Sequence, residues 1–227
     1  MPPRSTKPRI LPVFGLTLLE VLRDQDSPNE VLEDENVSVT MPRKLGLSDV
    51  VDKQIRIYRD KVKQRIRMSD DEVRDLMRLV VRRPDARQVF SLAGAKLAGR
   101  GPVPGPRGIA RILPRGVALR MARRDTSKGL ARLFGRSMGG FAQGPFSLEG
   151  RGLLFHESDS SGAACHFVTG YCQGALDRRV GGEYQVVHSQ CQSLGDPTCR
   201  WTVMGEARAR ERDGVREMLL RPEVETG

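Results

Sequence analysis

From position 47 to 66 the apolar residues Leu47, Val51, Ile55, Tyr58, Val62 and Ile66 recur at steps of four or three, which is a single stripe along a helix. Ser48 stands before Asp49 as an N-cap. Lys53, Arg56, Lys63 and Arg67 lie largely off the stripe, so the helix is basic and amphipathic. That pattern fits a helix facing the core with a solvated basic side, and it also fits one lying on a membrane surface or a phosphate backbone. A second helix is predicted from Ser69, because Asp70, Asp71 and Glu72 occupy its first turn at the positive end of the dipole. It stops before Pro84, which opens a third helix running through Leu97. In that helix Gly94 sits among Ala93, Ala95 and Ala98, a small-residue surface suited to close packing. Further helical pieces are predicted at Arg115–Arg124 and Ser127–Met138. The Pro/Gly loop Gly101–Gly108, between the third helix and these pieces, has no Gly-Lys-Ser/Thr end, and its prolines remove amide donors, which excludes an NTPase phosphate loop.

Past Gly144 the pattern changes to strands. Phe146–Phe155, Glu183–Gln190 and Arg200–Met204 read as strands, Ala163–Arg179 as a helix between the first two, and Ser193–Pro197 as the turn between the last two. Ala207–Leu220 reads as a closing charged helix. Several N-terminal helices followed by a small antiparallel sheet predict an α+β fold. Residues 1–46 read as a partly irregular N-terminal extension, with prolines at 2, 3, 8, 12, 28 and 42 and an acidic stretch from Glu30 to Glu35. Its apolar run Phe14–Leu22 predicts a docking helix, whether for the chain's own body, a second subunit or a foreign protein partner. The domain proper is expected over 47–227.

The 227 residues allow one domain with an extension. Aromatics at 5%, with 24 Gly and 14 Pro, predict a loop-rich, arginine-heavy globule and not a dense aromatic core. The net charge of +10 is uneven: residues 41–144 carry 25 basic and 9 acidic side chains, net +16, while 1–40 and 145–227 are each net −3. Such a block suits nucleic acid, an anionic membrane surface or an acidic partner, and it also arises when arginines simply solvate long helices. The apolar run Ile10–Leu19 is about half the ~20 residues needed to span a bilayer and is interrupted by Pro12 and Gly15, so no transmembrane segment is predicted. Glu20, Asp24 and Asp26 follow at once with no cleavage site, and a cytoplasmic location is expected.

All four cysteines, Cys165, Cys172, Cys191 and Cys199, lie in the last third, which in a reducing compartment suggests a metal site before a disulfide framework. Cys191 and Cys199 have seven intervening residues across the predicted hairpin turn, so the hairpin folds the two thiols back toward each other. His188 stands three residues before Cys191 and offers a nitrogen donor; Cys165, near the start of the preceding helix, offers a fourth ligand. Together they would make a closed Cys3His set typical of structural zinc, the alternative being small buried thiols that merely fill the core. On a regular strand His188 and Cys191 would face opposite sides, so the set requires a bulge or strand end near Ser189 and Gln190. Cys172, His156 and His166 have no assigned role, and no catalytic residues are assigned.

The stretch Cys165-His166-Phe167-Val168-Thr169-Gly170-Tyr171-Cys172-Gln173-Gly174, with His188-Ser189-Gln190-Cys191 and Gly195-Asp196-Pro197-Thr198-Cys199-Arg200-Trp201, resembles the 4-vinyl reductase domain. That family includes the sensor domains of phenol- and xylene-responsive bacterial activators, bacteriochlorophyll-biosynthesis proteins and relatives of the TRAPP vesicle-tethering subunits. The close match covers 146–203, and the upstream helices extend it toward residue 48. The resemblance implies a TRAPP-like ligand-binding fold, similar also to haem-nitric-oxide domains, that dimerises through its helices with a copy or a homologous partner. It also implies a C-terminal zinc subdomain. In phenol-sensing members three cysteines and a glutamate hold zinc; the cysteines match Cys165, Cys191 and Cys199, and His188 stands in the glutamate's place. This exchange keeps a competent donor and removes one negative charge. The resemblance places an apolar ligand between the upstream helices and the sheet, where Phe90, Leu97 and Met138 are candidate pocket residues.

The function so implied is a non-enzymatic, zinc-stabilised module that binds a small hydrocarbon or aromatic molecule and acts through a protein partner. A TRAPP-like assembly subunit, docking other proteins through the extension and the basic helices, is a second expectation. A tetrapyrrole-biosynthesis accessory protein or reductase is a third, although no dinucleotide fingerprint, flavin motif or iron–sulfur framework is present to supply electrons. Nucleic-acid binding through 41–144 is a fourth, weakened by the scarcity of aromatics.

Overall fold

The structure is a computed structural model that describes residues 8–26, 49–100, 114–142, 146–180 and 184–205. In chain order these form α1 (Val13–Asp26), α2 (Asp49–Gln64), α3 (Asp70–Val81), α4 (Ala86–Arg100) and α5 (Arg115–Phe134). There follow β1 (Gly140–Phe141), β2 (Ser147–Gly150), α6 (Leu154–Ser158), α7 (His166–Val180), β3 (Tyr184–Gln190), a short 3-10 turn (Gln192–Leu194) and β4 (Cys199–Gly205). The four strands pair antiparallel in the order β1-β2-β4-β3, so the fold is α+β, as predicted. Ser48, the Gly101–Gly108 loop and the predicted helix 207–220 lie outside the described residues.

Helix α1, from the segment assigned to the extension, belongs to the core. Its sequence is apolar on nearly every side, and Phe14 through Leu19, with Val21 and Leu22, are buried. The approach to the helix is stitched to two other elements: the Leu11 amide donates to Leu133 O at 2.8 Å, and Ile10 and Met68 exchange backbone bonds at 3.1 and 2.8 Å. Phe14 meets Phe134 of α5 at 5.5 Å and Phe167 of α7 at 5.0 Å between ring centroids, and Phe155 of α6 stacks on Phe167 at 5.6 Å. Four phenylalanines from four helices thus form one cluster. The aromatic residues are few, as the composition says, but they are concentrated at the centre and make the dense aromatic core that bulk composition argued against.

Several element boundaries differ from expectation, each for a local reason. The stripe on α2 buries Ile55 and Tyr58, but the helix ends at Gln64 and Arg65 takes a left-handed φ of 58°, so Ile66 leaves the stripe and is 48% exposed. Arg115 to Phe134 is one helix where two pieces were predicted. Asp125, Thr126 and Ser127 favour helix ends in isolation, but Arg179 grips the Asp125 carboxylate at 2.7 Å and Thr126 is fully buried, so tertiary contacts carry the helix through. The predicted strand 146–155 is only Ser147–Gly150; Gly152 at φ 57° reverses the chain, and the following turn of helix delivers Phe155 to the aromatic cluster. Other signals agree with the sequence. Ser69 caps α3 by accepting from the Glu72 amide at 3.2 Å, and Val73, Met77 and Val80 bury its inward face.

The small-residue surface predicted on α4 is used against α7. A Cβ on Gly94 would fall 2.1 Å from the Phe167 carbonyl oxygen, and one on Gly170 would fall 1.9 Å from that of Ser91. Both obstacles are backbone atoms, which cannot rotate aside, so the two helices approach this closely only because both positions lack a side chain. Gly170→Ala should therefore destabilise the protein by about 1–3 kcal/mol through forced separation of the helices. Urea unfolding should show this as a lower midpoint at unchanged slope; an unchanged midpoint would contradict the tight crossing. Helix α7 also fastens the sheet: the Trp201 indole N–H donates to Thr169 Oγ1 at 3.1 Å, and the Gln173 amide bonds both Tyr184 O and the Val186 N–H on β3.

Candidate metal centre

Four predicted ligands converge. Cys165 stands at the entrance to α7, His188 and Cys191 at the end of β3, and Cys199 at the start of β4. Their donor atoms all lie within 4.8 Å of one another, with Cys165 Sγ 4.0 Å from the sulfurs of both Cys191 and Cys199. Tetrahedral Zn–S bonds of ~2.3 Å place sulfurs about 3.8 Å apart, so the thiols need to move only slightly to close on a cation.

The local folding of each ligand is traceable to sequence. Two residues of β3 answer one step of β4 where His188 pairs with Trp201 and Gln190 with Arg200, which is the bulge required to bring His188 and Cys191 to one side. The Ser189 hydroxyl fixes this kink by donating to Arg200 O at 3.2 Å. Beyond it, the Cys191 amide donates to Asp196 Oδ2 at 2.6 Å, and Gly195 at φ 100° closes the turn. Before α7, the buried Asp159 carboxylate accepts from the Ser161 amide and hydroxyl, at 2.7 Å each, and from the Ala164 amide at 2.8 Å. This capping network sets the position of Cys165. Gly162, at φ 76°, leaves room for a ligand: a Cβ there would lie 2.9 Å from Cys191 Sγ.

His188 carries the test of fit. Its ring stacks on Trp201 at 4.7 Å and 8° between planes, which fixes its orientation. Its Nε2 is buried and makes no hydrogen bond among the described residues. A buried imidazole nitrogen without a partner is costly, and the ring brings one of its two nitrogens within 4.8 Å of the three sulfurs, which is the company a metal ion provides. The electrostatics agree. The Cys199 thiol is held well below the ordinary thiol range, first by hydrogen bonding from the Cys165 thiol and then by His188 and the Gln192 amide. The same pairing, with burial, pushes Cys165 up. Without a cation, one thiolate forms at its neighbour's expense; with one, all three can ionise.

Other candidates fall elsewhere. Cys172 is buried in the core, outside the cluster, and burial alone raises its thiol pKa. The His166 ring lies 6.4 Å edge-on from that of His188, and His156 Nδ1 lies 3.4 Å from Ser193 Oγ. Of the predicted pocket residues, Phe90 and Met138 are buried in the core, and Leu97 lines a groove of about 390 Å³ between α4, α5 and α7 whose wall also includes Leu11, Val13 and Tyr171. Apolar periodicity identifies buried positions, and most buried positions are packed solid. The Trp201 stack, the Asp159 cap and Gly162 were not singled out from the sequence; the Asp159-Ser160-Ser161-Gly162 run carries a recognisable turn-and-cap signal.

Much of the positive middle segment is internally paired. Arg59 and Arg100 reach Glu20, Lys96 reaches Asp24, and Arg83 bonds both Asp26 and Asp85. The acidic end of α1 therefore offsets part of the +16 block. Among the described residues no helix is long and apolar enough to cross a membrane. No family model, curated protein or solved structure matches the chain.

Proposed function

We propose that this chain is a non-enzymatic, zinc-stabilised small-molecule-binding module of the 4-vinyl reductase type, with a TRAPP-like fold, acting through a protein partner. The observation that carries it is the convergence of Cys165, His188, Cys191 and Cys199 at one point, with a buried, unpartnered His188 Nε2. Three sulfurs and an imidazole are the donor set zinc favours, and four protein ligands leave no open position for a substrate or an activated water, which assigns the metal a structural role. The metal ties the entrance of α7 to the β3–β4 hairpin, and α7 then runs along the groove, so the centre braces one wall of a cavity of ligand size.

The test is a thermal-shift series on the purified, metal-loaded chain with phenol, indole and small amphipathic acids. A ligand at a hundredfold excess over its Kd should raise Tm by about 5–10 °C for a protein of this size. If none of these compounds moves the transition, the binding role falls.

A further inference from the structure

The groove between α4, α5 and α7 has a chemical character of its own. Leu97, Leu133, Ala175 and the Tyr171 ring are buried and give it an apolar floor. Around them stand Arg100, Lys128, Arg132, Arg178 and Arg179, against Asp125 as the single carboxylate in the lining. Asp125 is engaged by Arg179, and Arg100 by Thr17 and Glu20. Lys128 and Arg132, four residues apart on one face of α5, are exposed and make no ion pair with a described residue. A cleft with low-dielectric walls and several like charges concentrates the opposite charge.

A second feature points into the same space. A Cβ on Gly129 would fall 2.0 Å from Tyr171 Oη, so the glycine is what admits the phenol tip to the wall of the groove. That hydroxyl makes no hydrogen bond among the described residues, and burial raises its pKa, so it keeps its proton and is available as a donor.

We propose that this groove binds a small amphipathic anion, its carboxylate-like head held by Lys128 and Arg132 with a hydrogen bond from Tyr171, and its apolar body resting over Leu97, Leu133 and Ala175. This rests on the binding-module function above and narrows its ligand from neutral hydrocarbons to acids. The buried apolar floor and the concave, half-open shape favour a small molecule over the flat, wholly polar contact of a phosphate backbone.

The test is isothermal titration of the metal-loaded full chain with octanoate, octanol and octylamine, which share a tail and differ in head charge. Octanoate should bind at least about tenfold more tightly than the other two, as expected for a charge-assisted head contact. The double variant Lys128→Ala/Arg132→Ala, at exposed positions that leave the core intact, should erase that preference while leaving octanol affinity unchanged. Gly129→Val, which displaces the phenol, should weaken all three. Equal affinity for octanol and octanoate would overturn the anion proposal while leaving the binding-module function standing; binding of none of the three would also overturn it, and the binding-module function would then rest on the phenol and indole series. Retention on phosphatidylserine vesicles without octanoate binding would also overturn it, assigning these cations to a membrane surface.

Discussion

Cys199→Ser should abolish metal binding at the proposed zinc centre and lower the protein's stability with it. The unaltered chain should carry about one zinc ion per molecule by elemental analysis, and the variant far less, because a Cys3His site that loses one thiolate loses both a bond and part of the charge that neutralises the cation. Structural zinc contributes on the order of 10–16 kcal/mol in isolated finger peptides. Here a bound metal would share its task with a large hydrophobic core, so a loss of at least about 4 kcal/mol is expected, or ~10 °C in Tm. Calorimetry of the variant and of chelator-treated protein should agree. Cys172→Ala is the control: its thiol lies outside the cluster, so metal content should stay at the level of the unaltered chain despite a small packing cost. Acidification should release the metal, since protons compete for the same thiolate and imidazole lone pairs. A metal-free protein that melts normally would end the zinc assignment.

Phe14→Ala should be nearly as damaging, although Phe14 lies in a segment that composition assigns to an extension. Its ring is fully buried between Phe134 and Phe167. Removing it leaves a cavity bounded by aromatic rings that cannot all collapse inward, a change that costs about 3–5 kcal/mol. Denaturant unfolding measures this directly. A cost below about 1 kcal/mol would mean that α1 docks only loosely, and that the domain holds together without it.

These two expectations mark different degrees of legibility. The candidate metal ligands are readable because their residue types are rare and their spacing is constrained: two thiols across a hairpin meet, and the face parity of a strand demands a bulge between His188 and Cys191. The α1 assignment is not readable in the same way. Prolines and an acidic stretch surround an apolar run, and such a run docks equally well on its own domain or on another chain; what decides is whether a complementary surface exists, and here Tyr58 on α2, filling the space beside Gly15, supplies one. The continuity of α5 through Asp125-Thr126-Ser127 was hidden for a related reason, since the partner that overrides the local preference, Arg179, lies more than fifty residues away.

Local chemistry by itself determined the α+β class, the Ser69 cap, the small-residue face of α4, the four side chains of the candidate metal centre and the excess of positive charge in the middle of the chain. Each depends on a residue's own type or on neighbours within a turn or two, where periodicity and sterics leave few alternatives. Only the tertiary structure decided that α1 is core, that its acidic end offsets part of that charge, and that Lys128, Arg132 and Tyr171 share one groove above an apolar floor. Burial patterns along a chain say which side chains leave water, and they carry no record of which distant surface receives them; that choice is made by shape and charge complementarity when the helices pack.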